Sequence, residues 1–380
     1  MEHINYKSSI CFGCTLAILI LPLTGQASDY RQDGGASLIT GAAPANKTAI
    51  SKPSQAAPRQ APDLQLPHKD SPTLSPLPQP RKFLQHRGSQ SEKFSIAIGP
   101  ERMAGNTTYR IGYPTIGPTG TKQSGYFPFS ELKWPLNIWL LRAEAKLNIN
   151  DSWRINALIK RNLTTSDSNM KDSDWVTDSD PGRLDVYSES SISRLDAWIF
   201  DIGVDWIFFK QPTWSLYGGL GYQHQMFYYE AKLIHQYSPS GLPGNESYGD
   251  GRVGITYDIT YSMPYLKIGG AYRFKDRFSL DGSFAWSPLV NAKDEDNHLL
   301  RENGGKICKG NMDGNAYMAN LSARYNISSA WFLKSGVNFV YIDVDGNQYQ
   351  VYGNGMQIGT VRETSQSTQI SGHLSLGYAF

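Results

Sequence analysis

Cysteine is scarce. The 380 residues hold three, and Cys11 and Cys14 lie in an N-terminal leader, so the mature chain keeps Cys308 alone. A single thiol excludes an intrachain disulfide framework and a cysteine-based zinc site. Net charge is small as well: Lys+Arg 36 against Asp+Glu 34 leaves +2, which excludes the strongly basic class of nucleic-acid binders. Beyond the leader no apolar run reaches about 18 residues, so membrane-spanning helices are not expected.

The leader reads as a secretory signal peptide over residues 1–27. Lys7 precedes an apolar stretch from Ile10 to Leu23, and Gly25-Gln26-Ala27 offers small residues for cleavage before Ser28. Cys14 sits inside the apolar stretch rather than after it, which speaks against a lipoprotein anchor. Residues 28–92 hold nine of the 21 prolines and only Tyr30 and Phe83 as aromatics. Such a segment cannot bury enough apolar surface to offset its ordering entropy, and it reads as a proline-rich disordered linker.

What the rest of the chain has in quantity is alternation. In the run Trp198, Phe200, Ile202, Val204, Trp206, Phe208, apolar residues interleave with Asp201, Gly203 and Asp205. A period of two puts all the apolar groups on one face of a strand and the carboxylates and glycine on the other. A water-soluble sandwich would bury the apolar face. An outer-membrane barrel would turn it to lipid, with aromatics at the interfaces and polar groups in the lumen. The chain closes on Ile370, Gly372, Leu374, Leu376, Tyr378 and Phe380, an amphipathic strand with a terminal aromatic. That ending resembles the signal read by the outer-membrane assembly machinery, a partner implied through Phe380.

The expected fold is therefore all-β, a ten-stranded antiparallel transmembrane β-barrel with long extracellular loops, over residues 93–380. Strands are expected near 93–113, 129–149, 152–167, 190–210, 213–235, 252–274, 277–293, 313–326, 330–345 and 362–380. Tight turns such as Asn150-Asp151 and Gln211-Pro212 alternate with long connections at 114–128, 168–189, 236–251, 294–312 and 346–361. An even strand number puts both termini on the periplasmic side and the long loops outside.

Two acidic clusters fall in the long loops. In Asp294-Glu295-Asp296-Asn297-His298, an extended chain turns Asp296 and His298 the same way, so the carboxylate can orient and charge-stabilise the imidazole. In Asp172-Ser173-Asp174-Trp175, two carboxyls share a face and cannot both ionise easily, which suits proton sharing or water positioning. Taken alone, the first fits a solvated loop and the second a turn or a cation site. Both belong to loops on one rim, where they could face each other across the barrel mouth. Asp343-Val344-Asp345-Gly346-Asn347 looks like part of a calcium loop but lacks the later Glu, and reads as a strand-to-loop turn. Cys308, in an outer loop, reads as an exposed free thiol.

Together these motifs resemble the omptin family of outer-membrane proteases. The likeness rests on Asp172-Ser173-Asp174-Trp175 with Pro181-Gly182 following, on Asp294-x-Asp296-x-His298, and on Met263-Pro264-Tyr265 opening into Leu266-Lys267-Ile268-Gly269. It implies an aspartic-type endopeptidase in the bacterial outer membrane, its active site facing outward. His298 would be the general base on water, Asp296 its partner, and Asp172 with Asp174 the facing couple. No cofactor or metal is implied, though lipopolysaccharide is expected as a partner and activator.

The resemblance also implies an acidic pocket for basic side chains, with Asp294 as one wall. Where the family has a first-strand Glu, counting from Gly105, this chain has Tyr109, and Asp185 is the candidate replacement. Tyr222 matches the lipid-A-gripping set, but Met226 and Thr260 stand where Arg is expected. The rival reading is an adhesin that uses the acidic rim without catalysis.

Overall fold

The structure, a computed structural model, describes residues 92–275 and 277–380. The expected signal peptide, the proline-rich segment up to residue 91 and Asp276 of the Lys275-Asp276 turn lie outside the described residues. Every regular element among those described is a β-strand, and there are fourteen. The first barrel stave is β1 (Phe94–Ile116), with the two-residue β2 (Lys122–Gln123) beside it. The second stave is β3 (Ser130–Pro135) followed by β4 (Ile138–Asn148), and the third is β5 (Trp153–Asn162) followed by β6 (Met170–Asp174). Next come β7 (Val186–Lys210) and β8 (Trp214–Tyr237), with the two-residue β9 (Ser247–Tyr248) on the edge of β8. The last five staves are β10 (Ile255–Phe274), β11 (Phe278–His298), β12 (Lys306–Asn326), β13 (Trp331–Tyr352) and β14 (Gln357–Ala379).

All pairings are antiparallel, and β1 pairs with both β14 and the β3/β4 stave, so the sheet closes on itself. The expected ten strands thus correspond to ten staves cut into more pieces. The second stave breaks after Pro135, which has no N–H to give to a ladder. The third breaks after Asn162, whose side chain takes over strand-like bonds by accepting from Ala197 N and donating to Leu195 O.

The outward face is an apolar belt. Ile98, Ile202, Leu220, Ile268, Leu321 and Ile370 are all more than half exposed at its centre. Below them an aromatic girdle includes the stacked pair Trp153–Trp206 and the edge-to-face pair Trp331–Tyr378, and above them stand Trp139, Trp198 and Tyr317. From Trp198 to Trp206 is about 26 Å along the strand at about 3.3 Å per residue. That matches the roughly 25 Å apolar band of a membrane barrel. β7 runs 25 residues, far more than a crossing needs, so the wall continues well above the belt.

The lumen is filled from the bottom up. At belt height, buried Glu101 accepts from Lys160 Nζ at 2.7 Å and Arg142 Nη1 at 3.1 Å, and Asp205 binds Arg154 and Lys267. Buried charges persist only when paired this closely. Above them an amide chain runs Gln369 to Gln225 to Gln223 to Asp201, each donating to the next. Higher still, an aromatic layer crosses the lumen, with Trp134 stacked on Tyr257 at 5.0 Å and Tyr257 on Tyr109 at 5.2 Å. Ten staves make a small bore, which layers of side chains such as these can fill. Planar-bilayer recording of the folded barrel should therefore give no ohmic conductance steps; steady open-pore currents would show that the layers do not seal.

Candidate active site

β11 carries the densest group of site residues, and a bulge decides which way they point. In its lower part Ala285 and Ser287 face the lumen while Phe284 and Trp286 face out. The pairing with β12 then slips between Ser287 and Val290, where Pro288 and Leu289 add a residue. A one-residue slip exchanges the faces of everything beyond it. Val290, Ala292, Asp294 and Asp296 are consequently buried inside, and His298 follows on the same face.

His298 Nε2 lies 3.1 Å from Asp296 Oδ2, within a charge-assisted hydrogen bond. The same oxygen accepts a bond from the Tyr109 hydroxyl, which reaches across the lumen from β1. In the tautomer that donates from Nε2, Nδ1 is left as the nitrogen that takes up a proton. Burial alone would raise the Asp296 carboxyl, but His298, Tyr109 and Lys306 outweigh it and hold Asp296 below the usual carboxylate range. The dyad therefore rests on an ionised acid.

On the facing wall, Asp172 and Asp174 occupy alternate positions of β6, in register with Leu132 and Ser130 of β3. Burial raises Asp172 well above the ordinary range, with the charges of Asp174 and Asp296 adding to it. Asp174 is raised too, by burial, against a hydrogen bond from Ser130 and the charges of Arg301, His298 and Lys306. Two raised, adjacent acids share a proton readily, whereas Asp296 has given its proton up. The mouth thus sets a protonated couple opposite an ionised dyad, the split in acid strength that acid–base chemistry requires.

A second acid pair stands beside the dyad. Asp294 Oδ1 and Glu363 Oε2 are buried, and both crowd the point where Gly310 of β12 lacks a side chain. Glu363 comes from β14, where Gln348 donates to its Oε1 at 2.7 Å, and Tyr257 donates to Asp294 Oδ2 at 3.1 Å. Burial pushes Asp294 up to about 7, and burial with the Asp294 charge pushes Glu363 well above the ordinary range. One proton shared between the two oxygens replaces an unmatched contact with a hydrogen bond.

A family model described as Omptin matches residues 122–379. The chain belongs to the Omptin family. Among curated relatives, the outer membrane protease OmpP of Escherichia coli K12 is 29% identical over 216 residues, 56% of this chain and 66% of that protein. The plasminogen activator of Yersinia pestis is 27% identical over 175 residues, 46% of this chain and 55% of that one. The chain thus spans 55% to 66% of the lengths of these relatives. The crystal structure of the outer membrane protease OmpT from Escherichia coli superposes with a TM-score of 0.63 at 20% identity, covering 77% of this chain and 98% of that one, and shares its fold.

For this omptin, Asp172, Asp174, Asp296 and His298 all converge at the barrel mouth, but on strands rather than the loops expected from sequence. Tyr109 lies inside too, bonded to the dyad. Asp185 is occupied elsewhere: it accepts from Val176 N, Thr177 N, Arg183 and Ser240, and so fastens two loops together. Cys308 is 1% exposed and pairs in register with Asp296, so it is a buried thiol and not an exposed one. Burial pushes it up to about 12. The 343–347 stretch is mid-strand in β13, with Asp345 paired to Arg362 on the outside, and is not a turn.

Glu363 is the residue that sequence reasoning missed. The clue available was a lone Glu at the lumen parity of an otherwise serine- and glutamine-lined strand, Glu363, Ser365, Ser367, Gln369. Infrared difference spectra near pH 7 should show that Glu363→Gln removes one protonated-carboxyl band. Identical spectra would place no proton on this pair.

Proposed function

We propose that the protein is an outer-membrane endopeptidase, active on the extracellular side, that hydrolyses peptides or exposed proteins near basic residues. The observation that carries this reading is the Asp296–His298 pair set opposite the Asp172/Asp174 couple at one end of a closed barrel. His298 Nδ1 accepts a proton from water, the hydroxide formed attacks the scissile carbonyl, and the imidazolium is stabilised by Asp296. The proton held on the Asp172/Asp174 couple hydrogen-bonds the oxyanion as it develops. As the tetrahedral intermediate collapses, the C–N bond breaks and the His298 imidazolium returns its proton to the leaving amine, so each proposed proton transfer runs through groups of this chain. Kinship with proteases such as OmpP supports the reaction class.

The Asp294–Glu363 pair is the natural receptor for a cationic side chain, because an entering ammonium or guanidinium displaces the shared proton and pairs with the acids. Lipopolysaccharide is the proposed lipid partner. Met226 and Thr260 face each other in register and supply no charge, but Arg161 over Trp198 and Arg194 over Tyr228 place cations on neighbouring staves. Phe380, whose amide bonds Phe94 O, closes the last strand as the proposed assembly signal.

A peptide library incubated with the refolded barrel, with and without lipopolysaccharide, tests the reading. Asp296→Asn and His298→Ala should each lower kcat/KM by roughly 100- to 10,000-fold. A folded wild-type protein that cuts nothing in either condition would leave the adhesin reading in its place. Acidification should also weaken recognition of basic side chains. As pH falls through about 7, the Asp294–Glu363 pair takes up its second proton and loses its charge, so KM for Arg or Lys substrates should rise below that pH. A KM flat from pH 8 to 5 would remove this pair from substrate binding.

A further inference from the structure

Tyr109 occupies the strand position from which a pocket acid was expected, and its hydroxyl is spent elsewhere. The side chain is 1% exposed and donates to Asp296 Oδ2, the oxygen that His298 Nε2 approaches at 3.1 Å. Asp296 Oδ1 is buried and has no hydrogen-bond partner among the described residues. The carboxylate is therefore held at one oxygen by two donors, one being the histidine it serves. The other is fixed by packing. The Tyr109 ring stacks on Tyr257, which stacks in turn on Trp134 at an interplanar angle of 11°, and Leu132 is buried beside it in register. Strands β1, β3 and β10 thus supply a rigid mount for a single O–H group.

We propose that Tyr109 is a positioning residue of the Asp296–His298 dyad. It holds the carboxylate in the rotamer that keeps the His298 Nε2 tautomer, and it tempers the carboxylate's pull on the imidazolium. The inference rests on the endopeptidase reading above. The role needs a donor that stays protonated, and burial together with the Asp296 charge pushes the Tyr109 phenol well above its ordinary range. The other charged or titratable groups around the dyad are Asp172 and Asp174 from β6, Asp294, Cys308 and Glu363 from β11, β12 and β14, Tyr257 from β10, and the cations Arg301 and Lys306. None of them is a second fixed donor to Asp296 Oδ2. Without the phenol, His298 Nε2 is the one donor left on Asp296 Oδ2 among the described residues, so the carboxylate's charge bears on the imidazolium alone.

The test compares Tyr109→Phe with wild type on a peptide that wild type cleaves, across pH. Tyr109→Phe keeps the ring and its stacking. The expected result is a kcat lower by roughly 10- to 100-fold, an unchanged KM and cut-site preference, and an acid limb displaced upward by about one pH unit. Tyr229→Phe is the control: it removes another buried phenol of the same aromatic layer, one whose hydroxyl has no hydrogen-bond partner among the described residues, and should behave as wild type. In an Asp296→Asn background the Tyr109→Phe loss should disappear, because the effect passes through that carboxylate.

A changed KM or cut-site preference with an unmoved acid limb would make Tyr109 a pocket wall and overturn the proposal. So would a Tyr109→Phe protein indistinguishable from wild type. A wild-type barrel that cuts nothing would instead fail the endopeptidase reading, a separate outcome.

Discussion

Everything in this barrel depends on one constraint, the two-residue period of an extended chain whose two faces meet incompatible surroundings. Through the belt, each stave must give lipid its apolar side and the lumen its polar side, and no residue can serve both. A lumen lined with charges is stable there because the charges are answered, by counter-charges as Glu101 has Arg142 and Lys160, or by neutral donors as Asp201 has Gln223 and Tyr265. Above the belt the outside is no longer lipid, and the constraint relaxes enough to admit a change of parity. On β11 that change falls at Pro288 and Leu289, and it alone turns Asp294, Asp296 and His298 inward.

The same transition explains which parts of the fold were legible in the sequence. Alternation is strong where one face meets lipid, so the belt segments of all ten staves could be read directly. It fades above the belt because both faces carry polar residues, and the upper ends of β11, β12 and β13 consequently looked like loops. The dyad was recognisable in spite of this, since Asp296 and His298 keep their two-residue spacing whether in strand or loop. Glu363 was not, because no neighbour in sequence marks it. Its meaning comes from Asp294 three staves away, and only register shows that they meet. Asp185 was suggestive by sequence position alone; in the fold its oxygens accept from loop backbone, Arg183 and Ser240.

The mouth contains three acid groupings within a small space, and burial alone would raise all of them. What distinguishes them is their partners. Asp296 has a histidine, a phenol and a nearby lysine and is ionised; Asp172 faces the charges of Asp174 and Asp296, while Asp174 has the Ser130 hydroxyl and more distant cations; Asp294 and Glu363 have each other, one tyrosine and one glutamine. Chemically similar side chains are thereby sorted into an ionised carboxylate beside a histidine, a couple of raised acids and a second raised pair that can share a proton. The sorting uses the charge of His298 first at Asp296, and neutral donors, Tyr109, Tyr257, Ser130 and Gln348, around all three groupings.

Gly310 has a consequence for how such a site can evolve. Any side chain there would occupy the space in which the Asp294 and Glu363 oxygens meet, so the acid on β14 is tolerable only while β12 stays bare at that point. An acid on the first strand would approach Asp294 from elsewhere and compete with the phenol now bonded to Asp296. Positions 310 and 363 are therefore coupled across two strands: any side chain at 310 costs the acid at 363 its place beside Asp294.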